Sequence, residues 1–215
     1  EANLTAVRIL RSLRTEQRPA TAAEQAQLAR WSGWGATPQL FDERDKYAHR
    51  FADERAELRE LLGDDGYRAA RTTTLNAHYT DAAYATAMWE TLRDLGLTEG
   101  RVLEPGCGGG TMIGLAPDGI QMVGVELDPT TAAIAQALYP DARILAESFA
   151  DTRISQATFD AAIGNVPFGS HKPHDPQYNP ERRHSIHNHF LLKALHLVRP
   201  GGVVALITSR YTFPE

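Results

Sequence analysis

The stretch Phe159-Asp160-Ala161-Ala162-Ile163-Gly164-Asn165-Val166-Pro167-Phe168 joins an apolar run to a polar end. An apolar run of this length, bounded by glycine and proline, is typical of a parallel strand that is covered on both faces. An amide side chain, a backbone carbonyl and a flat ring then follow within four residues. Two acceptors and a ring could bind a planar amino group, whereas an ordinary turn built from Asn and Pro is the alternative interpretation.

Strands and helices alternate on both sides of this stretch. Short apolar runs predict four further strands, at 101–104, 119–126, 142–146 and 203–208. The helix before the first of them should turn one apolar stripe towards the sheet, formed by Tyr84, Met88, Leu92 and Leu95. Such alternation with near-continuous apolar strands favours an α/β fold with a doubly wound, mainly parallel sheet.

The first 75 residues are predicted to be helical instead. Thr21-Ala22-Ala23-Glu24 fits a capping box at the start of a helix, and a later helix should end at Gly63. Trp31 and Trp34 form either a binding surface or, since large aromatic side chains usually pack, an anchor for this segment. We therefore expect a helical extension over residues 1–75 and a main domain over residues 76–215.

Composition limits the classes of protein to consider. The chain has 215 residues, of which 42% are hydrophobic, and its formal net charge is −5. No apolar run reaches the length of a membrane span, so no membrane is expected as a partner. The single cysteine, Cys107, excludes an internal disulfide and fits a reducing, cytoplasmic location. A nucleic-acid partner would have to meet a local basic patch, because free-standing binders of nucleic acid are usually basic overall.

Two motifs indicate where a ligand would bind. The first predicted strand runs into the glycine-rich loop Glu104-Pro105-Gly106-Cys107-Gly108-Gly109-Gly110, whose glycines allow a tight turn and close approach to the backbone. The carboxylate of Glu104 would repel a phosphate and would suit a cationic ligand. Glu126 ends the second strand about twenty residues later, at the position from which an acid can accept both ribose hydroxyls of a nucleoside.

Together these motifs resemble those of class I S-adenosylmethionine-dependent methyltransferases of the N6-adenine DNA methylase family. The loop at 104–110 resembles the family's D-P-x-C-G-x-G, with Glu104 in place of Asp, and Asn165-Val166-Pro167-Phe168 resembles its catalytic N-P-P-F/Y. His78-Tyr79-Thr80 resembles the family's Y-T-P element, with Asp81 in place of the proline. The resemblance implies S-adenosyl-L-methionine as cofactor, DNA as partner and a Rossmann-like sheet with strand order 3-2-1-4-5.

The resemblance also implies individual roles. The N6 amino group of adenine would be held by the Asn165 side chain and the Val166 carbonyl, next to Pro167, with Phe168 stacked on the base. Val166 replaces the family's first proline, whose fixed φ would hold that carbonyl in place. Cofactor contacts are implied for Tyr79, Thr80, Glu104, Pro105, Gly106, Cys107, Gly108, Gly110, Glu126, Leu127, Ser148, Phe149 and Asn165.

A histidine-rich segment over 169–189 follows this motif. A mobile loop above the target base is one interpretation, with Lys172, Arg182 and Arg183 on nucleic-acid phosphates. A merely solvated loop is another. A zinc site is the third, but irregular spacing and the lack of cysteine partners argue against it, so no metal is expected.

At lower specificity, the chain resembles the amino-terminal methylase portion of large bacterial, phage and plasmid proteins, in which a helicase region often follows. We therefore expect further domains, helicase or target-recognition, and a methylase sheet that lacks its last strands. Two other functions stay open. One is methylation of glutamine side-chain amides, which offer the same planar NH₂, and the other is a cofactor-binding module without turnover.

Overall fold

Five parallel strands form the centre of the structure, a computed structural model that describes residues 1–42, 49–74 and 80–212. The strands are β1 (Gly100–Pro105), β2 (Ile120–Glu126), β3 (Arg143–Ala146), β4 (Phe159–Asn165) and β5 (Val198–Ile207). Their order in the sheet is β3-β2-β1-β4-β5, and every pairing is parallel. The predicted doubly wound α/β fold and its strand order are therefore confirmed.

Seven helices accompany the sheet in the described residues: α1 (Ala2–Glu16), α2 (Ala22–Leu28), α3 (Ala52–Thr73), α4 (Ala82–Asp94), α5 (Thr111–Gly114), α6 (Pro129–Leu138) and α7 (Ile186–Leu197). Short 3₁₀ turns lie at Trp34–Ala36, Pro38–Phe41 and Arg210–Thr212. The capping box at Thr21 is present, and α3 is broken at Gly63, where the sequence predicted an end. None of the described helices has the length and apolar content needed to cross a membrane.

One face of the sheet is covered by α4. Ala85, Trp89 and Leu92 are buried there, and the Trp89 indole donates to the Met112 carbonyl at 2.9 Å. The stripe predicted for this helix is wrong at both ends, because its first and last members, Tyr84 and Leu95, are 68% and 63% exposed. The buried face is rotated by about one residue, so that it includes Trp89.

The opposite face is covered by α7. Phe190, Ala194 and Leu197 pack there against alternate residues of the strands, including Leu103 and Ala162. Neighbouring strand residues point to opposite faces, which is why strands buried on both sides are apolar almost throughout.

The amino-terminal helices pack around Trp34, which is 1% exposed and meets Trp31 edge-to-face at 4.6 Å. This cluster includes Ile134 of α6, and the Trp34 indole donates to Asp128 Oδ2 at 3.1 Å. The tryptophans thus hold the helical segment against the sheet domain, as the anchor interpretation predicted. The domain boundary expected between residues 75 and 76 lies outside the described residues and stays a prediction.

Candidate active site at the carboxyl edge of the sheet

A cavity of about 480 Å³ opens where β1, β2 and β4 end. In open parallel sheets, ligands bind at this edge, where the strand order reverses, and the volume is typical of a small-molecule site. Eleven of the predicted site residues line it: Thr80, Glu104, Gly106, Cys107, Gly108, Glu126, Leu127, Ser148, Phe149, Asn165 and Pro167.

The other predicted residues that the structure describes lie outside the cavity lining. Pro105 and Val166 are buried behind it, and Gly110 packs against the Tyr139 ring, where a Cβ would come within 2.6 Å of a ring carbon. Phe168 is 46% exposed. Tyr79 lies outside the described residues, so its predicted contact with the cofactor stays a prediction. The three cations predicted to meet phosphates, Lys172, Arg182 and Arg183, are all exposed.

The loop after β1 wraps tightly around the end of β2. The backbone N–H groups of Gly106 and Cys107 both donate to the Val125 carbonyl, at 2.8 and 3.0 Å. Gly106 has a φ of 72°, which favours glycine. Cys107 is buried, and burial raises the pKa of its thiol well above the ordinary value. A protonated thiol in van der Waals contact with the sheet serves as a small packing residue and not as a nucleophile.

Glu104 places an unmatched carboxyl group at the bottom of the cavity. It is 4% exposed, and its Oε2 atom has no hydrogen-bond partner in the described part of the chain. Burial, reinforced by the nearby charge of Glu126, raises its pKa well above the ordinary value, against a smaller opposing effect of the Ile113 backbone. A buried oxygen without a partner costs free energy, and a ligand that donates a hydrogen bond or carries positive charge would recover it.

Glu126 closes the same side of the cavity. Its two oxygens accept from the Gly108 N–H at 3.0 Å and from the Asp128 N–H at 2.8 Å, so the carboxylate plane is fixed. Burial raises its pKa to about 7, although the backbone donors act in the opposite direction. Each carboxylate oxygen has a second lone-pair direction, which leaves capacity to accept two further hydroxyl groups.

Asn165 ends β4 at the opposite side of the cavity. Its side chain lines the cavity and takes part in none of the hydrogen bonds found among residues 1–42, 49–74 and 80–212. Val166 is 1% exposed, and its N–H donates to the Ile207 carbonyl of β5 at 3.0 Å. A proline could not make this bond. The hydrogen bond to β5 therefore constrains the backbone of Val166, a role that the proline ring would have in the family's motif.

Several cavity residues were not predicted from the sequence. Trp34, Thr72 and Thr73 reach the cavity from the amino-terminal segment. No local pattern reports this, because the contact depends on how that segment packs against α6. Phe190 also lines the cavity, and its place in the apolar face of a predicted helix was the available signal.

The loop between β4 and α7 is held at its centre instead of lying free above the site. Asn179 is 1% exposed, and its side chain binds the Pro173 carbonyl at 2.8 Å and the His184 carbonyl at 3.0 Å. Its backbone pairs with Asp175, which is fully buried. The interpretation of a mobile loop therefore does not hold for this centre, because buried hydrogen bonds fix its path.

Within the described ranges, no group of three His, Cys, Asp or Glu side chains could hold a metal ion.

Comparisons with known proteins give one curated relative and several solved structures. No family model matches the chain. The "Defense against restriction protein B" of Escherichia phage P1 is 29% identical over 156 residues, which cover 70% of this chain. The chain spans only about 7% of that relative's length.

Solved structures with the same fold are also found. A Listeria monocytogenes protein, whose name assigns it to the class I S-adenosylmethionine-dependent methyltransferases, has 15% identity and a TM-score of 0.53. That match covers 100% of this chain and 75% of the other. A Pyrococcus horikoshii protein named as an RNA methyltransferase has 19% identity and a TM-score of 0.44, over 57% of this chain and 59% of its own. The Listeria structure and the strand order β3-β2-β1-β4-β5 show that the chain has a Rossmann-like fold of the kind found in class I methyltransferases.

Proposed function

We propose that this chain binds S-adenosylmethionine and transfers its methyl group to the N6 amino group of adenine in DNA. The observation that carries the proposal is the meeting of three separate motifs in one cavity. The glycine loop at 104–110, the acid Glu126 and the amide of Asn165 come from three different strands. Only the parallel order of the sheet brings them together, which supports a shared reaction site.

The cavity residues fit the cofactor. The unpartnered Glu104 oxygen suits a cationic or N–H-donating ligand, and Glu126 has capacity for two ribose hydroxyls. Phe149 is buried, lines the cavity and offers an apolar contact for a planar base. When bound, S-adenosylmethionine supplies a methyl group that is already activated by its sulfonium. Orientation is then the main task left to the protein.

Asn165 and Val166 would orient the target. The N6 lone pair of adenine is delocalised into the ring, so the free amine is a poor nucleophile. Acceptance of its two hydrogens by the Asn165 side-chain oxygen and the Val166 carbonyl would concentrate that lone pair on nitrogen. The bond from the Val166 N–H to Ile207 supports this role, because it anchors the peptide unit before this carbonyl, and Pro167 restricts Val166 to extended backbone. Phe168, at the rim, would stack on the base.

DNA as the substrate is supported by the neighbourhood of the cavity. Lys172 is exposed on the loop whose neighbours His171 and Pro173 line the cavity, and Arg182 and Arg183 are exposed on the same loop. Their charges would meet phosphates despite the net charge of −5. A base within a duplex would first have to leave the stack, at a cost of a few kcal/mol.

The phage relative supports the same substrate, since its name concerns restriction, which acts on DNA. Because the chain matches a small part of that protein, we also propose that helicase or target-recognition domains lie beside it. The proposal includes a division into two domains at residue 75 and a cytoplasmic location.

The experiment that tests the proposal is transfer from methyl-labelled S-adenosylmethionine to adenine-containing DNA, followed by nucleoside analysis. We expect N6-methyladenine as the product. Asn165→Ala should lower the transfer rate by about 100-fold or more, since a preorganised acceptor acts mainly in the transition state. Asn188→Ala is the matched control, because Asn188 does not line the cavity. This variant should transfer methyl groups at close to the wild-type rate.

Two outcomes would contradict the proposal. Label on the side-chain amide of a glutamine substrate, with none on DNA, would assign the same site to protein methylation. Cofactor binding without transfer to either substrate would identify a binding module.

A further inference from the structure

Three polar side chains are buried side by side beneath the cavity. Asp175 and His189 are 0% exposed and Lys193 is 1% exposed. Asp175 belongs to the loop between β4 and α7, while His189 and Lys193 lie one turn apart on α7. A lysine is almost never fully buried unless it is paired, so this cluster needs an explanation.

Lys193 uses its ammonium group to hold a backbone turn. It donates to the carbonyls of Phe149 and Thr152, the latter at 3.0 Å, and to Asp175 Oδ2 at 2.9 Å. An ammonium group has three donors, so these three bonds use its capacity, and a longer contact of 3.5 Å to the Ala150 carbonyl shares one of them. Its charge also lies 4.9 Å from the centre of the Phe149 ring. The turn that carries Phe149 is therefore held at two carbonyls and at one aromatic ring by a single side chain.

Asp175 holds the lysine in turn. Its Oδ2 atom accepts from Lys193 and, at 3.0 Å, from the His189 ring, while Oδ1 accepts from the Gln177 and Tyr178 N–H groups. Burial acts to raise the pKa of this carboxyl, but hydrogen bonds from His189 and Lys193 hold it at about 2. The carboxylate is therefore charged, and both of its oxygens accept hydrogen bonds.

The cluster joins two walls of the cavity. On one side, Ser148 and Phe149 belong to the turn held by Lys193, and both line the cavity. On the other side, His171 and Pro173 line it from the loop that Asp175 anchors. Apolar residues of similar volume usually stabilise a fold as well as a buried ion pair does, so stability alone does not account for this cluster.

We propose that Lys193 is a positioning residue, which holds the Ser148–Phe149 wall in the shape that binds the adenine end of the cofactor. The inference rests on the proposed binding of S-adenosylmethionine. Lys193 does not itself line the cavity, so it acts on the cofactor only through the carbonyls and the Phe149 ring that it contacts. Its loss should weaken cofactor binding while the methyl-transfer step at saturating cofactor stays nearly intact.

The test compares cofactor binding by titration calorimetry in the wild type and in the double variant Asp175→Asn with Lys193→Met. Removal of both charges leaves no unpaired ion in the core, so this variant should fold. We expect its dissociation constant for S-adenosylmethionine to rise about tenfold. In transfer assays its KM for the cofactor should rise by a similar factor, with kcat within about threefold of the wild type. Lys193→Arg, which keeps the charge, should recover part of the affinity.

Arg55→Met is the matched control. Arg55 is also a buried cation that donates to backbone carbonyls, those of Leu40 and Asp42 at 3.1 Å, but none of these residues lines the cavity. It should lower the melting temperature and leave the dissociation constant within about twofold. Wild-type cofactor affinity in the folded double variant, or an equal loss in Arg55→Met, would overturn the role of Lys193 alone. Failure of the wild type to bind the cofactor would overturn the proposed function and this inference with it.

Discussion

Two clusters of buried charge flank the same cavity, and they differ in how their charges are matched. On the glycine-loop side, Glu104 and Glu126 are both acidic, and one Glu104 oxygen has no partner in the described residues. On the α7 side, Asp175 and Lys193 neutralise each other, and each has its hydrogen-bonding capacity filled. In the first cluster an acceptor stays unmatched without a ligand, whereas the Asp175–Lys193 pair is matched within the protein, although the Nδ1 atom of the neighbouring His189 has no partner in the described residues.

The difference separates binding from positioning. An unmatched buried acid costs free energy in the empty protein, and a ligand that supplies positive charge or donors relieves that cost. A matched pair offers nothing to a ligand, but it fixes the backbone to which it is bonded. Changes in the first cluster should therefore alter affinity, and changes in the second should alter stability and the shape of the wall.

The largest effect is expected on the matched side. Asp175→Ala would leave the Lys193 ammonium buried without its counter-charge, which should lower the free energy of unfolding by about 3–5 kcal/mol. Urea denaturation followed by circular dichroism measures this change. Asp175→Asn combined with Lys193→Met should recover most of the loss. An unfolding midpoint for Asp175→Ala equal to that of the wild type would show that the two charges are not coupled.

On the unmatched side, the first expected effect is on affinity. Glu126→Ala removes a charged acceptor of the ribose hydroxyls, and such bonds contribute about 1.5–3 kcal/mol. The dissociation constant for S-adenosylmethionine should rise roughly 10- to 100-fold in calorimetry. Glu90→Ala, which removes an exposed carboxylate from α4, is the control and should bind as the wild type does. Unchanged affinity in Glu126→Ala would remove the acid from the site.

The same carboxyl group should make binding depend on pH. Its pKa of about 7 in the empty cavity means that Glu126 gains its charge as the pH rises through 7, and the charged form is the stronger acceptor. Affinity for the cofactor should therefore increase by up to about tenfold between pH 6 and pH 8. Glu126→Gln should flatten this dependence. A profile of opposite slope in the wild type would contradict the assignment.

The smallest effect should be a gain in stability. Burial raises the folded-state pKa of Glu104 above its unfolded value, so this group favours folding less as the pH rises above the unfolded pKa. Glu104→Gln has no such penalty. Relative to the wild type, its free energy of unfolding should rise on the order of 1 kcal/mol at pH 8 and show little difference at pH 4. Thermal melts at both pH values measure it, and a destabilised variant at pH 8 would mean that Glu104 is matched after all.

The sheet could be predicted because its signals are local. Strands such as β4 are short apolar runs, and a parallel sheet follows from their alternation with helices. The exposed and buried faces of α4 could not be assigned in the same way. Tyr84 and Leu95 fit a helical stripe as well as Trp89 does, and only the packing against Met112 decides between them.

The strand-end residues of the site could be predicted from the sequence, but the buried pair behind its wall could not. Glu104, Glu126 and Asn165 stand at strand ends, and one topology rule brings all strand ends to one edge. The pairing of Asp175 with Lys193 spans 18 residues and depends on the path of a loop, which no short pattern records. Lys193 does lie one turn after His189 on the buried side of α7, and that position was the only available signal.

The bond between Trp34 and Asp128 has a consequence for the amino-terminal helices. Asp128 also caps α6 through the Thr131 N–H, and its own N–H fixes Glu126, so a single residue connects a helix of the sheet domain, the proposed ribose acid and the helical segment. Sites that share a residue are thermodynamically linked, and linkage is reciprocal. We therefore expect a ligand bound at Glu126 to slow proteolysis of the first helices, and a cut in those helices to weaken binding of that ligand.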